Sequence, residues 1–389
     1  MYKQFILPFD AFKISAGGLT LTDRRRKKFR KMIPSPDNFY AAWRTESLAD
    51  QVLHDENGLP SERLLQAVWQ HQRLRRDRLK TADGRIVRVF HPGFVSVAGG
   101  PDFGNAVLQI GDNPPRSGDV EIDLRPGGWR AHGLDRNPNF QNVLLHVVWD
   151  EAKSAANENA MLVLPLKNAL DAPLAELSLS LENEPSRSLP ENWRGRCSGA
   201  LRELSESQLT ELLQAAGRVR FENKAGAMLA RAKNSGWEQA LWENLFRALG
   251  YKHNVWPMQH LAEIKPRWAR GANSAFEIQA RLLGVSGLLP HELTRAQKSS
   301  DTFLRRAWEL WWRDRNEFEN CLLPQAAWRF HGLRPANHPQ RRFALASHWV
   351  ADKKFISNIE GWGAAELPDK KLLESLHETL QVRQDEFWS

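Results

Sequence analysis

The 389-residue chain, 42% hydrophobic, is long enough for two domains with a large core, and its composition is that of a globular protein. Its 54 lysines and arginines against 46 acidic residues leave a net charge of +8, and with a pI near 9.6 this gives a positive field suited to phosphate polymers. Cys197 and Cys321 are the only cysteines and no apolar run approaches the roughly 20 residues of a membrane span, so a zinc ribbon, a disulfide framework and a membrane partner are excluded and a reducing cytoplasm is the expected location.

The first 40 residues carry a basic run, Arg24-Arg25-Arg26-Lys27-Lys28 with Arg30 and Lys31, that has no amphipathic period. It reads as a disordered basic extension (1–40), or as sequence upstream of a start at Met32. The first firm element is a helix over 61–74, with Ser61 as N-cap, Leu65, Val68 and Trp69 on one stripe, and Glu62 in the first turn where the helix dipole favours a carboxylate. Arg73, Arg75, Arg76 and Arg78 follow it; such a run is ordinarily a solvated surface. Residues 84–90 alternate as a strand and lead through His91-Pro92-Gly93 to the turn Gly100-Pro101-Asp102-Phe103.

The chain is organised around what comes next. Residues 106–110 read as a strand, 111–118 are dense in turn residues, and in 119–124 Val120, Ile122 and Leu124 alternate with Asp119, Glu121 and Asp123. Period two buries the aliphatic set on one face and projects three carboxylates from the other. Folding the hairpin brings Asp102 towards Glu121, and convergent carboxylates repel unless a proton or a cation lies between them. Hard oxygen ligands of this kind suit Mg²⁺ or Mn²⁺ better than zinc. The same residues also fit a plainer reading, a Pro-Asp turn and a solubilising acidic edge.

Residues 141–149 form a nearly continuous apolar run containing His146, as expected of a central strand covered on both faces. A further strand is expected at 161–166 and a connecting loop over 182–196. From about Ser205 the pattern turns helical: a capping box at Ser205 and Gln208, then helices over 205–219, 237–249, 275–283, 302–318, 341–350 and 370–387. The tryptophans and arginines of this half, including Trp328-Arg329-Phe330-His331-Gly332-Leu333-Arg334-Pro335, read as bundle core with a basic rim, though aromatics beside arginines also stack on bases. The expected architecture is α/β (α+β): a mixed-sheet domain over 41–200 and an all-α domain over 201–389.

Several of these pieces resemble a bacterial family of unknown function, domain-of-unknown-function family 2851. They are Glu62/Leu65/Trp69, Gly100-Pro101-Asp102-Phe103/Ala106, Gly118/Val120-Glu121-Ile122-Asp123, Gly128-Trp129/His132-Gly133-Leu134, Val143/Leu145-His146-Val147-Val148 and Arg334-Pro335/Asn337/Pro339/Arg342. That family in turn resembles, more distantly, the PD-(D/E)xK nucleases with their restriction-endonuclease-like fold. The resemblance implies that Glu62, Asp102 and Glu121 surround Mg²⁺ (or Mn²⁺), that Asp123 or His132 completes a catalytic site, and that DNA or RNA is the partner. Arg73, Arg75, Arg76, Arg334 and Arg342 would then border a groove for nucleic acid. Two departures stand out: Asp123 occupies the place of the nuclease lysine, and Leu134 that of the family's second histidine. Three functions therefore stand open: a Mg²⁺-dependent phosphodiesterase, a nuclease fold that binds nucleic acid without cutting it, and a metal hydrolase of a non-nucleic substrate using His132 and His146.

Overall fold

The computed structural model describes residues 12–15, 18–21, 59–96, 99–150, 161–181, 204–300, 302–365, 368–382 and 385–387. The basic run at 24–31 and the loop expected over 182–196 lie outside the described residues. Near the N-terminus β1 (Phe12–Ser15) and β2 (Gly18–Leu21) pair as an antiparallel hairpin.

Helix α1 (Glu62–Gln70) begins where the cap residue dictates: Ser61 is extended and its Oγ accepts the Leu64 N–H at 3.1 Å. It ends earlier than its apolar pattern, because Gln72 turns left-handed (φ 50°) and the Arg73 N–H closes back on the Val68 carbonyl. Leu74 is still buried, but from an isolated bridge to Leu170. Strands β3 (Val87–His91), β4 (Phe94–Val95), β5 (Phe103–Ile110), β6 (Arg116–Asp123), β7 (Val143–Val148) and β8 (Val163–Pro165) form one mixed sheet in the order β3-β5-β6-β7-β8, with β4 also on β5. The meander β3-β5-β6 is antiparallel, whereas β7 and β8 run parallel to β6. The α+β architecture is thus as the sequence led one to expect.

The two faces of the sheet have different covers. On one, Val87, Val89, Phe103, Ala106, Leu108, Val120, Ile122, Leu145 and Val147 pack under α1 and α3 (Leu174–Leu181), with Trp69 fully buried. Truncating a side chain of that size in such a core costs about 3–5 kcal/mol. On the other, Phe90 and Val107 enter the core of the helical half, so the helices dock directly on the β3-β5 end of the sheet. This leaves the β6-β7 end of the second face for the polar side chains of β6.

The helical half follows the apolar spacing with some changes of length. The capping box of Ser205 and Gln208 starts α4 (Glu206–Ser235), which runs past the expected 205–219 to Gly236. Next come α5 (Trp237–Leu249), α6 (Val255–Glu263), α7 (Lys265–Trp268), α8 (Ala275–Val285), α9 (Arg295–Ser299), α10 (Phe303–Asp314), α11 (Pro339–Ala351), α12 (Phe355–Ala364) and α13 (Asp369–Leu380). The helix expected over 302–318 tightens into a 3-10 segment after Asp314, and the one expected over 370–387 stops at Leu380. Among the described residues no helix is long and apolar enough to cross a membrane.

Candidate active site

Pleating sets the site. Val120 and Ile122 point into the α1 core, so Asp119, Glu121 and Asp123 share the opposite face of β6. A bulge in β5, where Gly104 and Asn105 together oppose the single Asp119, lies at the base of this face. Asn105 is left-handed there (φ 56°) and its N–H donates to Asp119 Oδ1 at 3.0 Å, while Asn142 Nδ2 donates to Oδ2 at 3.3 Å. Asp119 therefore ties strands together, and Glu121 and Asp123 are the carboxylates beyond it on this face.

Asp102 and Glu121 are joined reciprocally across β5 and β6. The Asp102 N–H donates to Glu121 Oε2 at 3.0 Å, and the Ile122 N–H donates to Asp102 Oδ2 at 3.1 Å. Glu62, exposed at the head of α1, is drawn to the same place through Gln66, whose Nε2 donates to Asp102 Oδ1 at 2.8 Å and to Glu62 Oε1 at 3.3 Å. Burial, together with the carboxylates of Asp102, Asp123 and Glu62, pushes the Glu121 carboxyl up to about 8. Partial desolvation and then Asp102 and Asp123 raise Glu62 as well, partly offset by His132.

Asp123 is placed differently from an exposed ligand. The residue is 4% exposed, and its carboxylate meets Nε2 of the buried His146 at 2.8 Å. The pairing exists because β7 runs parallel to β6 with Glu121 opposite His146 and Asp123 opposite Val148. The ring of Trp129 covers His146 at a centroid distance of 5.5 Å, from the short helix α2 (Gly128–Ala131), and packs with Leu134, Phe140 and Val143. His132 follows α2 on the open side, its Nδ1 3.6 Å from Asp123 Oδ1, too long for a hydrogen bond but within ion-pair range.

Gly128 allows this cover. A Cβ there would lie 2.7 to 2.8 Å from all three carboxyl atoms of Asp123. Gly128→Ala is therefore expected to cost about 1–3 kcal/mol by forcing the buried Asp123–His146 pair apart. Chemical denaturation reads the loss, and an unchanged midpoint would show that α2 can slide away without cost.

All five residues expected to form the catalytic site, Glu62, Asp102, Glu121, Asp123 and His132, thus lie in one hydrogen-bonded and electrostatic neighbourhood. Gln66 and the pairing role of His146 were missed, although Gln66 stands one helical turn after Glu62 and so faces the same way. The basic residues fare otherwise. Arg73 and Arg76, each 8% exposed, are held by Asp171 at 2.8 Å and by Glu263 at 2.7 Å. These two, expected to border a nucleic-acid groove, are thus largely buried in ion pairs within the fold. Arg75 is half-buried and donates to the Asn168 carbonyl, Arg342 is half-buried against the Asn337 side chain, and Arg334 is exposed on the helical half.

The family model for the protein of unknown function family (DUF2851) matches residues 62–389, from the first residue of α1 to the end of the chain. The chain belongs to that family. No curated protein and no solved structure matches it. The DUF2851 match takes in both the sheet and the helical half, which agrees with their shared core at Phe90 and Val107.

Among the described residues no three histidine, cysteine, aspartate or glutamate side chains stand as a ready-made ligand set for a metal ion. The donor chemistry nevertheless fits a hard divalent cation. Glu121 experiences the negative charges of Asp102, Asp123 and Glu62, and the half-buried group needs a proton or a cation to balance them.

Proposed function

We propose that this member of the DUF2851 family is a Mg²⁺- or Mn²⁺-dependent phosphodiesterase acting on DNA or RNA, with its centre at Asp102 and Glu121. The observation that carries the reading is that the Glu121 carboxylate accepts the Asp102 N–H while the Asp102 carboxylate accepts the Ile122 N–H, where β5 begins beside β6, with a helix-borne Glu62 reaching them through Gln66. The order of helix, antiparallel meander and parallel β7 supports it as a fold-level analogy to the PD-(D/E)xK nucleases. A divalent cation there would supply Lewis-acid polarisation of a phosphoryl oxygen and neutralise developing charge.

The remaining steps fall to the chain's own side chains. Asp102, Glu121 and Glu62 would hold the cation. Gln66 orients Asp102 by fixing one of its oxygens, and Asp123 fixes the His146 ring. His132, 62% exposed at the mouth, would pass a proton to or from the substrate.

The test is incubation of the full chain with labelled single- and double-stranded DNA and RNA in Mg²⁺, Mn²⁺ or EDTA. Cleavage is expected with either cation and not with EDTA, and Asp102→Asn is expected to reduce it by about 10²-fold or more. Binding without cleavage under every condition favours the second reading, a nuclease fold that only holds nucleic acid. One observation speaks for that reading: Asp123, in the place of the nuclease lysine, is buried and committed to His146.

A further inference from the structure

One motif of the helical half has no place in the site described so far: Trp328-Arg329-Phe330. Its backbone is gripped from inside. Asn254, 2% exposed, accepts the Arg329 N–H at 2.8 Å and donates to the Arg329 carbonyl at 2.9 Å, and the buried Trp328 indole donates to the Ser286 carbonyl at 2.8 Å. The Arg329 side chain is exposed, and its guanidinium carbon stands 4.7 Å from the centre of the Phe94 ring, itself 44% exposed. An exposed cation–π contact is worth only about 0.5–1 kcal/mol, a small return for a buried asparagine spent on holding one backbone unit.

The position of Phe94 gives the contact a use. Strand β4 pairs with β5 so that Val95 faces Phe103 and Phe94 faces Gly104. Val95 and Phe103 go to the α1 core, and alternation puts Phe94 on the same sheet face as Glu121 and Asp123. Only β5 separates β4 from β6, a distance of about 10 Å at the usual strand spacing. Gly104, which carries no side chain, is the β5 residue opposite Phe94. The end of β4 is also fastened to the site, since the Ser96 N–H donates to the Asp102 carbonyl at 2.8 Å. Behind Phe94 the His91 ring lies 4.7 Å away and takes the Gly93 N–H on Nδ1; burial, and then the charge of Arg329, lower its proton affinity and keep it neutral.

We propose that Phe94 and Arg329 form a shelf for single-stranded nucleic acid, a base stacking on the phenyl–guanidinium pair while the guanidinium edge takes the adjoining phosphate. The inference rests on the nucleic-acid reading of the carboxylate site. A polyanion laid against four carboxylates needs a fixed cation on the same sheet face, and the helical half brings Arg329 onto Phe94, one strand beyond β5. Arginine suits this position because its planar head stacks and donates at once, which lysine cannot do.

The experiment is fluorescence anisotropy of a labelled single-stranded DNA with the full chain in Ca²⁺, as a function of salt, for the wild type, Phe94→Leu, Arg329→Ala and Arg329→Lys. Phe94→Leu is expected to weaken binding about tenfold at an unchanged melting temperature. Arg329→Ala is expected to weaken it comparably and to flatten the salt slope by about 1, whereas Arg329→Lys restores the slope and not the full affinity. Wild-type affinity in both Phe94→Leu and Arg329→Ala overturns the shelf while leaving the phosphodiesterase reading intact if the wild type cleaves. A wild type that binds no oligonucleotide at low salt overturns both.

Discussion

Replacing Arg76 with alanine is expected to destabilise the protein by about 3–5 kcal/mol, the usual result of stranding one partner of a buried ion pair. Arg76 donates to Glu263 at 2.7 Å, to Gln72 at 2.9 Å and to the Val89 carbonyl at 2.6 Å, so one guanidinium joins the end of α1, strand β3 and helix α6. Glu263 is largely buried, and Arg76, His260 and Arg231 together outweigh its burial and hold its carboxyl down at about 2. Removing Arg76 leaves that carboxylate buried with too little positive charge. Because a lowered carboxyl contributes stability above its unfolded pKa and loses it as pH falls through the folded value, the wild type should weaken between about pH 4.5 and 2, and the variant should show a smaller acid-induced loss. Urea denaturation at pH 7 and pH 3 measures both. A variant as stable as the wild type would mean that the sheet and the helical half are not joined through this residue.

Arg76 also marks where the sequence stops being informative. Within the run from Arg73 to Lys80 nothing local distinguishes an arginine on the surface from one buried against Glu263, because its partner lies 187 residues further along. The carboxylate face of β6 was legible, since period two is a local property, as was the cap at Ser61. The approach of Asp102 to Glu121 followed from turn residues and hairpin geometry. His146 was legible as part of a central strand covered on both faces; what could not be read was its partner, because the Asp123 contact depends on parallel pairing of β6 with β7 and hence on a crossover that no local pattern fixes. Asp123 was therefore legible as a third carboxylate of β6 but not as half of a buried Asp–His pair.

Glu121→Gln is expected to do two opposite things, stabilise the protein at alkaline pH and abolish its response to divalent cations. The amide keeps an oxygen to accept the Asp102 N–H, so the local geometry survives. The sign follows from the raised carboxyl. With a folded value of about 8 against an ordinary 4.5, the native state keeps a proton that the unfolded chain releases, so the stability this group provides is complete below about pH 4.5 and is lost as pH rises through 8. Glutamine does not titrate and escapes that loss. Solvent screening of a half-buried group reduces the full linkage to about 1–2 kcal/mol, which should appear as a melting temperature a few degrees above wild type at pH 8.5 and a difference that vanishes near pH 4.5. Saturating Mn²⁺ should reverse the order at pH 8.5: cation at about 100 times its Kd adds about 2.7 kcal/mol to the wild type and little to the variant. Thermal denaturation of both proteins at the two pH values, with Mn²⁺ and with EDTA, gives all the comparisons. If Glu121→Gln melts below the wild type at pH 8.5 in EDTA, Glu121 is a structural hydrogen-bond acceptor; if Mn²⁺ shifts both proteins equally, the cation binds elsewhere and the assignment of Asp102 and Glu121 fails.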